Sequence, residues 1–278
     1  NIKSGFHSQY MRNMVQLNNG NGTFSEVGQM MGVSNTDWSW AALFADFDND
    51  GWQDLFVSNG YKRDYTNRDF LNYMENFIGE KKSNLKREDV LEIINNMPAS
   101  NVSNYLFANT KGKGFNDVTA QWGVLDFTNS NGSAYGDLDG DGDLDLVVNN
   151  INAHAGIYRN NTDASRNFLQ IALKASKNNS NALGARVTLF TKEGQQTKEQ
   201  FPTRGYLSTV SPILHFGLGK QEKVDSILVR WSNGTFNSRK AVGVNQKIEI
   251  EQRESQARVI EQNPSKTLFF PSENSFDF

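Results

Sequence analysis

Short runs of alternating polar and apolar residues, separated by turns rich in glycine and asparagine, recur along most of the chain. The stretch "YMRNMVQLNNGNGTF" alternates into a hairpin, and from Arg166 to Gln252 one such run follows another. Glycine and asparagine tolerate the positive φ angles that tight turns between strands require. The pattern therefore predicts an all-β protein, with a small antiparallel sandwich or barrel over residues 166–252.

A second regularity is an internal repeat with an offset of 91 residues. The stretch "DFDNDGWQDLFVSNG" begins at Asp46, and "DLDGDGDLDLVVNN" begins at Asp137. Upstream of them, "FSEV" and "FNDV" recur at the same offset, each followed by a Gly-Val step. Each unit combines a hairpin, a short strand, an acidic loop and another strand, which is typical of propeller blades or a solenoid. We predict partial propeller blades over residues 1–165.

Residues 61–104 lengthen the first unit. Within them, "DFLNYMENFIG" and "KREDVLEIINNM" carry apolar residues at helical spacing, and Pro98 follows the second segment. The pattern predicts a helical insertion on a loop of the first unit. The insertion either packs on the repeat as decoration or forms a lid for a partner or ligand, since long insertions on rigid scaffolds often carry function.

Composition narrows the classes of protein. Hydrophobic residues make up 37% of the 278 residues, and the net charge of −3 is too near zero to indicate nucleic acid or a membrane surface. The sequence has no cysteine, which excludes disulfides and thiol chemistry. No run approaches the ~20 apolar residues of a membrane span. Residues 1–17 lack the apolar core of a signal peptide, so we expect any targeting signal upstream.

Both acidic loops fit the pattern D-x-D-x-D-G-x-x-D. Alternate carboxylates converge where the backbone curls around one point, and the glycine supplies the dihedral angle for that curl. A shell of six or seven oxygen ligands suits Ca²⁺ better than Zn²⁺ or Mg²⁺. The alternative is a solvated acidic turn without an ion. The predicted ligands of two calcium sites are Asp46, Asp48, Asp50, Trp52 and Asp54 in the first loop, and Asp137, Asp139, Asp141, Asp143 and Asp145 in the second. Trp52 and Asp143, at position seven, would bind through their backbone carbonyls.

These loops are not EF-hands. An EF-hand requires a bidentate glutamate at position twelve, where this chain has Val57 and Val148. The flanking segments are β-type runs rather than amphipathic helices. We therefore predict calcium loops between β-strands, with a structural role. Affinities of ~0.1–1 mM are typical of extracellular modules, which indicates an exported protein.

Two blocks carry a family resemblance. The block "SNTDWSWAALFADFDNDGWQDLFVSNG" resembles the FG-GAP or VCBS repeat of integrin α-chain propellers and of bacterial relatives of cartilage acidic protein. The block "RGYLSTVSPILHFGLGKQEKVDSILVRWSNG", with "LGARVTLF" before it and "QKIEIEQ" after it, resembles the ASPIC/UnbV domain that follows VCBS blades in that family. The resemblance covers about residues 10–60 and 104–252. It implies propeller blades over residues 1–165, an ASPIC/UnbV-like β domain over 166–252 and a tail over 253–278.

The chain departs from a closed propeller. It has two full acidic loops, whereas a propeller needs at least four blades to close around its axis. Two blades would leave strand edges exposed. We therefore expect either an N-terminal part of a longer chain or another subunit to complete the propeller.

Several single residues leave alternatives open. His215 is either a packed histidine or a site residue, and Arg204 either pairs with Asp225 or caps a turn. Tyr206 and Trp231 either pack in the core or form a surface that stacks on sugars. The tail residues Leu268, Phe269, Phe270, Phe276 and Phe278 are expected to dock in a groove of this protein or of a partner.

The sequence offers no catalytic constellation. Its histidines, His7, His154 and His215, are scattered, and it contains neither a G-x-S-x-G motif nor a phosphate-binding glycine-rich loop. We predict a calcium-stabilised extracellular or cell-surface module that binds a protein or glycan without catalysis. The alternatives are a glycan-active extracellular enzyme, or a subunit of an outer-membrane or cell-envelope complex.

Overall fold

The computed structural model describes Gly5 and residues 12–81, 84–100, 102–162 and 165–256. Strands predominate in these residues and form several separate sheets, none of which closes into a barrel within the described ranges. The predicted fold class, β blades with a helical insertion followed by a small β-sandwich, is confirmed. His7 and residues 257–278, which contain all the apolar residues named for the predicted tail, lie outside the described residues.

The repeat module spans residues 12–162. In chain order its elements are β1 (Gln16–Asn18), β2 (Phe24–Glu26), β3 (Ser39–Ala45), β4 (Asp54–Asn59), α1 (Arg68–Glu80), α2 (Arg87–Asn95), β5 (Val102–Ser103), β6 (Tyr105–Asn109), β7 (Phe115–Asp117), β8 (Phe127–Thr128), β9 (Ser130–Gly136), β10 (Asp145–Asn150) and β11 (Gly156–Tyr158).

Two blades form this module, and their first three strands follow one another in the same antiparallel order. The first is the antiparallel sheet β3-β4-β6-β7, and the second is the antiparallel sheet β9-β10-β11. Strands β3 and β9 start at residues 39 and 130, which is the offset of the sequence repeat. The β1–β2 hairpin matches β6–β7 at the same offset, so it corresponds to the last two strands of a blade.

Apolar residues from both blades meet in one core. Leu43 and Phe56 of the first blade lie in the same buried cluster as Leu146 and Val148 of the second. All six residues of β4 are buried, since this strand has neighbours on both edges and packing on both faces. The repeat therefore folds as a pair of adjacent blades rather than as two independent sheets.

The predicted helices lie between β4 and β6. The Asn67 side chain caps α1 by accepting a hydrogen bond from the Phe70 amide at 3.0 Å. Tyr61 and Ser100 pair across the base of the insertion, so its two ends lie side by side. The acidic loop precedes β4 and the insertion follows it. Loop and helices therefore lie at opposite ends of the first blade.

The sandwich module spans residues 165–256. Its strands are β12 (Asn167–Lys174), β13 (Arg186–Thr191), β14 (Gly194–Glu199), β15 (Leu214–Gly219), β16 (Lys223–Arg230), β17 (Phe236–Gly243) and β18 (Gln246–Glu251). One sheet has the order β14-β13-β16-β17, and the other has the order β15-β12-β18. Leu169 and Phe216 of the smaller sheet share one buried cluster with Val187, Ile227 and Val229 of the larger, so the sheets pack face to face.

One pairing departs from the antiparallel prediction. Strand β12 runs parallel to β18, with Ile171 opposite Ile248. A parallel pair needs a long crossover connection. Residues 175–245 supply it, since they form the whole four-stranded sheet and β15 before the chain returns to β18. Alternation along single strands predicts neither partner nor direction, so the sequence pattern could not reveal this pair.

Neither helix of the described residues is long and apolar enough to cross a membrane.

Candidate metal centres

Each acidic loop connects two antiparallel strands of a blade, as predicted. The first joins β3 to β4 and the second joins β9 to β10. Asn49 and Gly51 adopt φ angles of 58° and 94° in the first loop, and Gly140 and Gly142 adopt 82° and 96° in the second. Two left-handed residues at matching positions turn both backbones around their own carboxylates.

The first loop gathers three carboxylates. Asp46, Asp48 and Asp50 each place an oxygen within 4.8 Å of the others. Asp46 is fully buried, and its Oδ1 and Oδ2 accept hydrogen bonds from the amides of Asp50 (3.0 Å) and Gly51 (2.9 Å). Burial raises the pKa of Asp46 to about 7, against the opposing charge of Lys198, and Asp50 and Asp48 raise it further.

The second loop gathers Asp137, Asp139 and Asp145 in the same way, again within 4.8 Å. The two oxygens of Asp137 accept from the amides of Gly140 (2.7 Å) and Gly142 (3.1 Å). Asp143 is buried, and its Oδ1 has no hydrogen-bond partner within the described part of the chain. Burial raises the pKa of Asp143 to about 6.

The last aspartate of each loop forms hydrogen bonds that connect the loop to a later part of the chain. Asp54 accepts from the amides of Phe47 (3.0 Å) and Asn109 (2.9 Å). Asp145 accepts from the equivalent amides of Leu138 and Asn160, both at 2.8 Å. Burial raises the pKa of Asp54 to about 8. Asp145 also belongs to its carboxylate cluster, whereas the carboxylates of Asp54, Asp141 and Asp143 lie outside the two clusters formed by the described residues.

Arginines that the loop pattern did not predict flank both clusters. Arg166 contacts Asp48 with 2.7 Å between Nη1 and Oδ2, and Arg159 contacts Asp139 with 2.8 Å between Nε and Oδ2. Both arginines lie after the second blade, far from the first loop in sequence. They compensate part of the clustered negative charge, and only the tertiary structure reveals their role.

The oxygen clusters fit a hard divalent cation. Two oxygens that bind one Ca²⁺ at 2.3–2.6 Å lie at most about 5 Å apart, and each cluster meets that limit. Asp46 Oδ1 and Asp137 Oδ1 each accept one amide, from Asp50 and Gly140, and keep a second lone pair. Asp143 Oδ1, in the same loop as Asp137 but outside the cluster, is an acceptor without a donor among the described residues.

The sandwich module covers both loops. Asn49 donates from Nδ2 to the Gly142 carbonyl at 3.1 Å, which joins the two loops, and its own carbonyl accepts from the Gly219 amide at 2.8 Å. Gln170 of β12 donates to Asp137 Oδ2 at 2.7 Å. The candidate metal centres therefore lie in the interface between the modules.

His215 is the buried residue of this interface. Its Nε2 lies 2.6 Å from Asn49 Oδ1, an oxygen that only accepts, so Nε2 carries the proton. Burial and then the charge of Lys198 lower the pKa of His215 to about 3. The ring also stacks on Phe168, with centroids 6.0 Å apart. His215 is thus a packed histidine, and it packs against the first acidic loop at Asn49.

Two glycines permit the close contact between loops and sandwich. A Cβ atom at Gly217 would lie 2.1 Å from Asp46 Oδ2, and one at Gly142 would lie 1.9 Å from the Phe168 ring. This contact explains why the segment "LHFGLG" contains a glycine in the middle of β15. A glycine inside a strand is the sequence signal of such a close approach.

Two other residues with open alternatives are now placed. Trp231 is core, 2% exposed, with Nε1 donating to Asn237. Arg204 donates to the backbone carbonyls of Phe201 (2.9 Å) and Glu199 (3.4 Å), so it caps a turn. Tyr206 remains partly exposed and contacts Trp40.

Comparison with known proteins agrees with the motif resemblance. Residues 6–57 match the FG-GAP-like repeat family, and residues 175–257 match the ASPIC and UnbV family. Cartilage acidic protein 1 of Mus musculus is 28% identical over 253 residues, which are 82% of this chain and 39% of that protein. Cartilage acidic protein 1 of Homo sapiens is 35% identical over 112 residues, 39% of this chain and 17% of that protein. The chain thus spans well under half the length of these relatives.

Proposed function

Because this chain contains an FG-GAP-like repeat and an ASPIC and UnbV domain, and is homologous to cartilage acidic protein 1, we propose that it is a calcium-stabilised binding or assembly module. It works outside the cytoplasm, recognises a protein or a glycan, and has no catalysis of its own.

One observation carries this proposal: the two acidic clusters occupy equivalent loops, and both lie against the sandwich. Asp46, Asp48 and Asp50 would hold one ion, and Asp137, Asp139 and Asp145 the other. A bound divalent cation supplies the positive charge that several clustered carboxylates lack. Its role is structural, because it fixes the loops on which the sandwich rests.

The chemistry of the interface supports a non-enzymatic role. Both oxygens of the buried Asp46 accept hydrogen bonds from backbone amides, and His215 is held neutral against Asn49. The protonated Nε2 of His215 is engaged by Asn49, so this ring packs against the loop and is not free to transfer a proton. Calcium loops of extracellular modules bind with dissociation constants of about 0.1–1 mM, so they are occupied where calcium is millimolar. Loops of this kind support a location outside the cytoplasm.

Calcium titration of the parent protein and of Asp46→Asn and Asp137→Asn tests this proposal. We expect millimolar calcium to raise the melting temperature of the parent, and each variant to lose about half of that gain. Occupancy at 100 times Kd stabilises by ~2.7 kcal/mol per site. Asp225→Asn, an exposed aspartate on β16, is the matched control and should respond like the parent. A melting temperature that EDTA leaves unchanged in the parent would refute structural calcium.

A further inference from the structure

A cavity of about 810 Å³ lies at the ends of the blade strands farthest from the acidic loops. Trp40 at the start of β3, Tyr61 after β4, Ser133 on β9 and Asn149 on β10 line one side. The segment 206–209 of the sandwich module lines the other. Its volume lies in the range of small-molecule sites, 300–1,000 Å³.

The sandwich segment is held firmly against the blades. Gly205 adopts a φ of 75°, and a Cβ there would lie 3.1 Å from Leu43 Cδ2 and 3.4 Å from Ala41 Cβ. Leu207 adopts a φ of 48° and is 89% exposed at the cavity rim. A large apolar residue in this conformation is rare, and such strain is concentrated at functional sites.

Aromatic rings form one wall. The rings of Trp40 and Tyr206 lie 4.8 Å apart at an interplanar angle of 55°. Trp40 Nε1 donates to the Gly60 carbonyl at 2.8 Å, which fixes the indole and leaves its face apolar. Trp38 stacks on Tyr61 at 4.4 Å and holds that ring at the cavity edge. Two ring faces from different modules thus border one space.

The charged residues at this cavity are cationic. Lys62 and Arg63 line it, and no acidic residue of the described ranges does, although the protein carries a net charge of −3. Arg63 Nη1 donates to the Ile94 carbonyl of α2, so the helical insertion orients this guanidinium. The concentration of positive charge favours an anionic ligand.

One buried donor lacks a partner. Ser133 is 3% exposed, and its hydroxyl has no hydrogen bond within the described residues. A buried hydroxyl without a partner costs free energy, which a ligand oxygen at the cavity wall would recover.

We propose that this cavity binds an acidic oligosaccharide, one that carries a carboxylate or sulfate group. The apolar face of a sugar ring stacks on Trp40 and Tyr206, the anionic group pairs with Lys62 and Arg63, and Ser133 hydrogen-bonds a hydroxyl. Extended peptides are recognised mainly through main-chain hydrogen bonds at a groove or sheet edge, whereas ring faces and cationic side chains line this cavity. The inference deepens the proposed function, since it names the ligand class of that binding module.

The site also gives the helical insertion a role. Arg63 lies at its start, and the carbonyl that holds Arg63 lies in its second helix. The insertion therefore positions one anion-binding group, while the sandwich supplies Tyr206. A ligand there would contact both modules.

Binding to an array of uronic-acid and sulfated oligosaccharides tests the proposal. Each acidic sugar stands beside its methyl-esterified or desulfated neutral counterpart, and the full chain is applied in 2 mM calcium. We expect at least one acidic sugar to bind and its neutral counterpart to bind at least about tenfold more weakly, as the loss of a charged hydrogen bond implies.

Variants locate the site. The double variant Lys62→Gln/Arg63→Gln should weaken binding at least about tenfold, and Tyr206→Ala about fivefold, as the loss of one stacked ring implies. Arg239→Gln on β17 and Phe24→Ala on β2 are exposed controls of the same chemistry and should bind like the parent. Binding of no acidic sugar above its neutral counterpart overturns the proposal, as does equal binding by the parent and the site variants.

A calcium melting curve on each preparation separates this inference from the proposed function. Calcium stabilisation without acidic-sugar binding refutes the sugar site and supports the calcium-stabilised module. Acidic-sugar binding without calcium stabilisation supports the sugar site and refutes the structural role of calcium. Variants that melt like the parent are folded, so their loss of binding reports on the site.

Discussion

At the scale of residues, side-chain size and buried polar groups decide how the sandwich meets the acidic loops. Gly217 brings β15 close enough for the backbone to pack on Asp46, and His215 two residues earlier meets Asn49. Both contacts combine a sandwich residue from "LHFGLG" with a residue of the first acidic loop. The interface therefore depends on a few positions where a larger or charged side chain has no room.

Gly217→Ala tests this dependence on size. Its Cβ would lie 2.1 Å from Asp46 Oδ2, so loop or strand must shift, and we expect a loss of about 1–3 kcal/mol in unfolding free energy. Gly79→Ala in α1 is the matched control, since its Cβ would meet nothing within 4 Å and alanine favours a helix. Guanidinium unfolding in calcium measures both, and equal stability of the two variants would contradict this packing.

His215 predicts a pH dependence. Burial lowers its pKa to about 3 from about 6.5 in the unfolded chain, so below pH 6.5 the unfolded state binds a proton that the folded state does not. The stabilisation is complete above pH 6.5 and is lost as pH falls toward 3, by about 1.4 kcal/mol per pH unit.

His215→Gln removes this titration and keeps a donor for Asn49. We expect its unfolding free energy to fall less steeply than that of the parent between pH 6.5 and 4.5, at constant saturating calcium. Urea unfolding at several pH values gives the difference between the two proteins, in which the shared carboxylate titrations cancel. Parallel pH profiles would show that His215 is not buried in its neutral form.

At the scale of elements, local patterns predict strands well and their partners poorly. The run "NFLQIALK" coincides with β12, because alternation and turn residues are local signals. Strand β17 carries a weaker local signal, since "FNSRKAVG" is a mostly exposed edge strand with little apolar alternation. The acidic loops could be predicted from the sequence because their candidate ligands are close together along the chain. The roles of Arg166, Gln170 and Ser133 could not be predicted, because tertiary packing brings these residues to their sites.

The helical insertion should be separable from the blades. Tyr61 and Ser100 pair at its base, and its buried residues Phe70 and Ile93 lie outside the three main core clusters. Replacing residues 64–97 with a four-residue Gly/Asn turn keeps Lys62 and Arg63. We expect the calcium-dependent rise in melting temperature to persist and acidic-sugar binding to weaken, since Arg63 loses its carbonyl partner. A protein that no longer melts cooperatively would show that the helices support the blades.

At the scale of the whole molecule, the acidic loops connect two modules whose cores are separate. The sandwich has its own buried cluster. Among the described residues of the sandwich module, Val210 alone belongs to the buried cluster of the blades. The contacts of Asn49, Arg166 and Gln170 with the opposite module depend on the loop conformation. A cation that fixes the loops therefore also stabilises the docking of the sandwich.

Scanning calorimetry with and without calcium tests this coupling. In calcium we expect one cooperative transition, because loops held in one conformation keep the interface intact. In EDTA the carboxylates repel one another, the interface weakens, and two transitions should separate, the blades melting about 10–20 °C lower. The sandwich core contains none of the clustered aspartates, so its own transition should move little. Magnesium is the control, because its strict octahedral preference suits these wide oxygen clusters poorly. A single transition that shifts as a whole would mean that the modules unfold as one body whatever the ion, and that calcium stabilises the molecule without governing how its halves are joined.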